Sequence, residues 1–146
     1  MNRIGIACDH AGFEMKEFLI GYLKAQGYDI HDFGCYSEES CDYPDAAHPL
    51  AIAVEKGEVE TGVALCGSAN GISMTLNKHQ GVRAAICWRR ELAELARAHN
   101  DANVISIPAR FITSHEAAEL VRIFLETPFE GGRHTWRVAK IPVNNG

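Results

Sequence analysis

The sequence predicts an α/β domain, a three-layer α/β/α sandwich with a five-stranded parallel sheet covered on both faces. Three observations predict it. Apolar runs of strand type alternate with segments of helical periodicity along the whole chain. The alternation makes five strand–helix units, the pattern of a doubly wound parallel sheet. The length of 146 residues suits one domain with a sizeable core.

Arg3 to Cys8 reads as the first strand. The first helix carries Met15, Phe18, Leu19, Tyr22 and Leu23 on one face, and Gly27 is placed to end it. Tyr28 to Phe33 is the second strand, followed by a polar loop from Gly34 to Tyr43. Pro44 suits the first turn of a second helix facing inward with Ala47, Leu50, Ala51 and Val54. Pro49 leaves two options, a start near Pro49 or a kink there. Gly62 to Leu65 is the third strand, and a helical segment runs from Ile72 to Lys78. Arg83 to Cys87 is the fourth strand. The next helix, about Glu91 to His99, turns Leu92, Leu95 and Ala96 inward. Val104 to Ile107 is the fifth strand. Thr113-Ser114-His115-Glu116 fits a capping box, with Ala117, Leu120, Val121, Phe124 and Leu125 as the stripe behind it and Pro128 as the stop. After Gly131-Gly132, a short extra helix over about 131–141 completes a single domain spanning 1–146. A Rossmann-like strand order of 2-1-3-4-5 is expected, with the ligand crevice at the carboxyl ends of strands one and three.

Composition narrows the function. The chain is 47% hydrophobic and 23% charged, with a net charge of -5, which argues against a nucleic-acid partner. No apolar stretch approaches the ~20 residues of a membrane span. A strand pattern from the first residues leaves no room for a signal peptide. Five cysteines without a CxxC spacing argue against a disulfide framework or a zinc site, and for a reducing cytoplasm.

The crevice would hold Asp9-His10 on one side and Cys66-Gly67-Ser68-Ala69-Asn70-Gly71 on the other. The second stretch is a small-residue turn between a buried strand and a helix start. Such turns direct backbone N–H groups at an anion. A thiol at its mouth can act as a base, or can be one more buried cysteine. Asp9 is equally suited to cap the first helix. His99, before Asn100 and Asp101, either complements its helix dipole or serves a site. Its loop lies at the amino ends of the strands, so the site it serves would belong to a second copy of the chain. Arg133 and Arg137, four apart on one helical face, suit a phosphate or form a solvated basic face. Arg110 either joins them or pairs with a surface carboxylate.

Taken in order, several segments resemble the type B ribose-5-phosphate isomerases, a family that includes galactose-6-phosphate isomerase. They are Gly5 to Gly12, Asp42-Tyr43-Pro44, Cys66-Gly67-Ser68 with Asn70-Gly71-Ile72, Asn77-Lys78, Arg83-Ala84, His99 to Val104, and Gly131-Gly132-Arg133-His134 with Arg137. The resemblance implies aldose–ketose isomerisation of a sugar phosphate through a cis-enediolate, within the pentose phosphate pathway, with no metal and no cofactor. It implies Cys66 as the base, His99 as the ring-opening acid, and Ser68 within the catalytic loop. Asp9, His10, Tyr43 and Asn100 would hold the sugar hydroxyls or phosphate. Gly67, Ser68, Ala69, Asn70 and Gly71 would form the anion hole, and Arg110, Arg133 and Arg137 would hold the phosphate. It also implies a homodimer or a dimer of dimers with shared sites.

Two residues depart from the family pattern. Ser68 stands where threonine is common, and Ala69 where glycine is common. Alanine is expected to take a conformation it tolerates. Some relatives use a loop glutamate as base, but Ile72-Ser73-Met74 offers none here. The alternatives are the same reaction on a six-carbon sugar 6-phosphate such as allose or galactose 6-phosphate, a non-catalytic flavodoxin-like phosphate-ligand module, and a cysteine hydrolase using His10. The last leaves the arginines unexplained.

Overall fold

The computed structural model describes residues 2–143. Its elements, in chain order, are β1 (Arg3–Cys8), α1 (Phe13–Ala25), β2 (Asp29–Asp32), α2 (Tyr43–Lys56), β3 (Thr61–Cys66), α3 (Asn70–Leu76), β4 (Ala84–Ile86), α4 (Arg90–Ala98), β5 (Val104–Pro108), α5 (Ser114–Glu126) and α6 (Arg133–Ala139). A 3-10 turn, His10–Gly12, leads into α1.

The five strands are parallel and ordered β2-β1-β3-β5-β4. This corrects the expected 2-1-3-4-5 order: the last two strands exchange places. Burial gives the reason. Every residue of β5 is buried, whereas the three residues of β4 are only half-buried. The fully buried strand takes the interior position, and the short one takes the edge.

Two cores flank the sheet. On one face Met15, Leu19 and Leu23 of α1, Ala93 and Ala96 of α4, and Leu120, Val121 and Phe124 of α5 pack on Ile4, Ile6, Val63 and Ile105. On the other, Ala47, Leu50 and Ala51 of α2 with Ile72 and Leu76 of α3 pack on Ala7, Ala64 and Val104. Leu95, expected inward, is 44% exposed, because the inner stripe of α4 runs through Ala93 and Ala96.

Local signals explain most helix ends. Gly27 takes φ +94°, its N–H donates to Lys24 O, and the Tyr28 N–H donates to Leu23 O, closing a Schellman end on α1. The capping box is formed, with Glu116 N donating to Thr113 Oγ1 and Thr113 N donating to Glu116 Oε1. Of the two options at Pro49, the late start is not taken: α2 begins at Tyr43 with Pro44 in its first turn and runs through Pro49. The helix forgoes one N–H there, beside the exposed Asp45 of its first turn.

Candidate active site

The crevice forms at the carboxyl ends of β1, β3 and β5. Asp9 N donates to Leu65 O, and Ala109 N and Arg110 N donate to Cys66 O and Gly67 O. Because β5 lies beside β3, Arg110 falls on the loop after Cys66. A Cβ placed on Gly67 would lie 3.2 Å from both Cδ and Nη1 of Arg110. Tyr43, at the start of α2, covers the other end, where a Cβ on Gly71 would overlap its ring and lie 2.7 Å from its hydroxyl. Neither glycine takes a positive φ; a side chain at 71 would force the Tyr43 ring to shift, and one at 67 would ask the Arg110 side chain to give by a few tenths of an ångström.

Cys66 ends β3 with 4% exposure. The loop behind it turns on Ala69, which takes φ 67° and ψ -4°. This corrects the expectation of a conformation comfortable for alanine: the residue is left-handed, a state costing ~1–2 kcal/mol for an L-residue with a Cβ. The turn leaves the backbone N–H groups of Gly67, Ser68, Ala69 and Gly71 without an acceptor among the described residues, while Asn70 N donates to Ser68 Oγ at 3.3 Å. At seven residues α3 has a small dipole. The capacity to hold an anion therefore rests on these N–H groups and on Arg110.

Asp9 is 8% exposed, and its Oδ1 accepts from Ala11 N at 2.9 Å and Gly12 N at 3.2 Å. One oxygen thus caps the turn into α1, and the carboxylate still stands at the crevice. Cys41 holds His10 through its backbone, with both N and O 3.3 Å from Nδ1. Cys41 is itself joined to Cys35 by a disulfide, a pairing the cysteine spacing did not predict. Both cysteines are also tied to the end of β1, Cys35 through Cys8 O and Cys41 through His10. Cys8, Cys66 and Cys87 are free. Burial pushes the Cys8 and Cys87 thiols up to about 12.

A second cluster lies apart from this crevice. His99 caps the carboxyl end of α4 and lines a cavity of about 450 Å³ with Leu95, Asn100, His134 and Arg137. No residue from 66 to 71 lines it. The two arginine groups are therefore separate: Arg110 belongs with Cys66, and Arg137 belongs with His99. Arg133 is exposed at the start of α6. His134, quoted earlier only as part of a motif, is the site residue that sequence reasoning passed over. It is 8% exposed, and its ring stacks on His99 at 4.1 Å. Burial, and then the neighbouring His99, Arg133 and Arg137, lower its pKa against the pull of Glu130. Its nearness to Glu130 was not legible from a helical pattern, because Glu130 precedes α6 and the positive-φ turn at Gly131-Gly132 brings the two together.

Comparisons with known proteins give the family and the fold. The family model described as Ribose/Galactose Isomerase matches residues 4–141. The ribose-5-phosphate isomerase B of Escherichia coli (strain K12) is 40% identical over 141 residues, covering 97% of this chain and 95% of that one. A crystal structure of a ribose 5-phosphate isomerase from Thermotoga maritima superposes with a TM-score of 0.95 at 45% identity, covering 97% of each chain. The Mycoplasma genitalium ribose-5-phosphate isomerase B, solved with bound ribulose-5-phosphate, superposes with a TM-score of 0.91 at 39% identity, covering 95% of this chain and 93% of that one.

Proposed function

Because the chain belongs to the ribose/galactose isomerase family, we propose that it interconverts ribose 5-phosphate and ribulose 5-phosphate. One observation carries the reading. A free thiol, Cys66, heads a loop of unpaired N–H donors, with Arg110 and Tyr43 laid against that loop.

In the proposed mechanism Cys66, as the thiolate, removes the C2 proton of the open-chain aldose. The C–H electron pair forms the C1–C2 double bond, and the carbonyl pair moves to O1. The N–H groups of Gly67, Ser68, Ala69 and Gly71 stabilise that oxyanion where charge develops; one such donor is typically worth ~10²–10³ in rate. Cys66 returns the proton to C1 while the O2 proton passes to O1, relayed in this scheme by the Ser68 hydroxyl. Asp9, His10, Tyr43 and Asn100 hold hydroxyls, and the arginines hold the phosphate, so remote binding energy positions the reacting carbons.

His99 acts in this scheme from a second copy of the chain, opening the sugar ring as a general acid. Two features support that placement. His99 lines a cavity that none of the residues 66–71 reaches. The exposed Leu95 lies four residues before it on α4, so one outward face joins an apolar contact to the acid.

The test is Cys66→Ala, followed by ketose formation from ribose 5-phosphate and by calorimetric binding of the substrate. Turnover should fall at least ~10²-fold, the low end of general acid–base help, with binding retained. Near-normal turnover removes Cys66 from the mechanism. Run in parallel with allose 6-phosphate, a strong preference of the parent enzyme for the hexose overturns the pentose assignment.

A further inference from the structure

His99, Glu130 and His134 bring their ligating atoms together at the mouth of the α4–α6 cavity. His99 Nε2 and His134 Nε2 each lie 3.8 Å from Glu130 Oε1, and all three atoms are within 4.8 Å of one another. None of the three makes a side-chain hydrogen bond among the described residues, so their lone pairs are unspent. The other histidine cluster differs. There His48 Nδ1 and His79 Nε2 meet in one hydrogen bond of 2.7 Å, and His79 Nδ1 lies 3.2 Å from Glu55 Oε1. The ring nitrogens that face each other there are already used.

We propose that His99, Glu130 and His134 form a binding site for a borderline divalent cation, Zn²⁺, whose occupancy removes His99 from catalysis. Two imidazoles and one carboxylate are a donor set zinc takes in open sites, with water in the fourth position. Zn–N bonds of about 2.0–2.1 Å and Zn–O bonds of about 2.0–2.2 Å place tetrahedral ligand atoms roughly 3.4 Å apart. Each 3.8 Å edge must therefore contract by a few tenths of an ångström. Glu130 is free to make that adjustment, since its side chain is 60% exposed. The rings stack 13° from parallel, so closing on one ion also asks each imidazole to tilt toward it.

The backbone already holds the ligands in register. Glu130 N donates to Ala98 O at 3.0 Å, tying the glutamate to the residue before His99. Gly131 and Gly132, at φ 71° and 57°, fold the chain so that His134 returns over Glu130. Arg137 lines the same cavity and repels a cation, which keeps the site weaker than a closed four-ligand one. The inhibitory effect rests on the proposed role of His99; the binding does not.

The test uses the full-length protein after chelator treatment. Titration with Zn²⁺ alone should show one ion per chain by calorimetry, and Co²⁺ should give the visible absorption of a low-coordinate site. Glu130→Gln, outside the proposed catalytic set, and His134→Asn should each weaken Zn²⁺ at least tenfold. Zn²⁺ should inhibit the parent enzyme reversibly and spare Glu130→Gln at the same concentration. No binding, or equal binding by parent and both variants, overturns the site. Binding that leaves turnover unchanged overturns the inhibition and counts against His99 as the acid, whereas the Cys66→Ala experiment judges the isomerase reading independently.

Discussion

Gly5→Ala should destabilise the protein, and Leu50→Ala should partly cancel that effect. Gly5 on β1 and Gly62 on β3 are register partners, and together they form a notch in the sheet. Leu50 of α2 fills it and is fully buried. A Cβ on Gly5 would sit 2.6 Å from Leu50 Cδ1, 2.9 Å from Phe33 Cε2 and 3.2 Å from Val59 Cγ2. Overpacking of this kind costs ~1–3 kcal/mol. Leu50→Ala alone opens a cavity at a fully packed position and should cost ~2–5 kcal/mol. In the double variant the new methyl meets space instead of Leu50, while the contacts with Phe33 and Val59 persist. Relief is therefore partial, and the double variant should be at least ~1 kcal/mol more stable than the sum of the singles, within the range measured for contacting pairs. Urea unfolding with a common slope gives the four stabilities, and melting temperatures should follow at about 2–4 °C per kcal/mol. Additivity within ~0.5 kcal/mol would refute the notch, and with it the account of how α2 lies close enough to the sheet for Tyr43 to reach Gly71.

Thr113→Ala should cost ~1 kcal/mol, because it leaves Glu116 N without its acceptor. The same cap is pH-sensitive. Hydrogen bonds from Thr113, the backbone one foremost, hold the Glu116 carboxyl below its ordinary 4.5. A depressed carboxylate stabilises the fold above its unfolded pKa and loses that contribution as pH falls through the folded one. The stability gap between the parent and Glu116→Gln should therefore shrink below pH ~4.5; a gap constant down to acid would show that the carboxylate does not cap. Iodoacetamide at neutral pH, read by mass spectrometry without reductant, should modify Cys66 ahead of Cys8 and Cys87, whose thiols burial pushes up to about 12. Equal labelling of the three would contradict that burial.

Much of the architecture was legible because its signals are local. Gly27 needs a left-handed end, Thr113 and Glu116 need each other, and the stripes on α1, α2 and α5 name their own faces. The exchange of β4 and β5 was not legible, since both are short apolar runs and nothing in a run states its neighbour. Only the competition for full burial separates Val104-Ile105-Ser106-Ile107 from Ala84-Ala85-Ile86. The left-handed Ala69 was hidden for the opposite reason. An alanine gives no signal for a positive φ, and the tight turn out of β3 overrides its preference. The Cys35–Cys41 pairing depends on both residues being held at the end of β1, which no spacing rule contains. Cys66 and Asp9-His10 were read as candidates because the ends of buried strands are where such folds place ligands, and the structure puts them at the ends of the paired strands β1 and β3.

The strand exchange also bears on the proposal that one chain makes half a site. Had β4 lain beside β3, Cys87 and Trp88 would flank the Cys66 loop, and Arg110 would lie one strand further away. With β5 in that position, Arg110 comes to Gly67, and β4 becomes an open edge. Ile86, at the end of that edge, lines the cavity holding Ser68 and Asn70 and also the one holding His99 and Arg137. The cavity beside Ser68 and Asn70 and the cavity holding His99 thus lie on either side of a single sheet edge. In a two-fold dimer every contact occurs twice. On the proposed reading, an interface that brings one chain's His99 to its partner's cradle also brings the partner's acid to the first chain's cradle. The exposed apolar side chains nearby fit such a contact: Trp88 is 52% exposed, Phe111 74% and Leu95 44%. An active monomer, measured at a concentration where the chains are fully dissociated, would break this argument, because a lone chain would then have to bring its own His99 to its own Cys66.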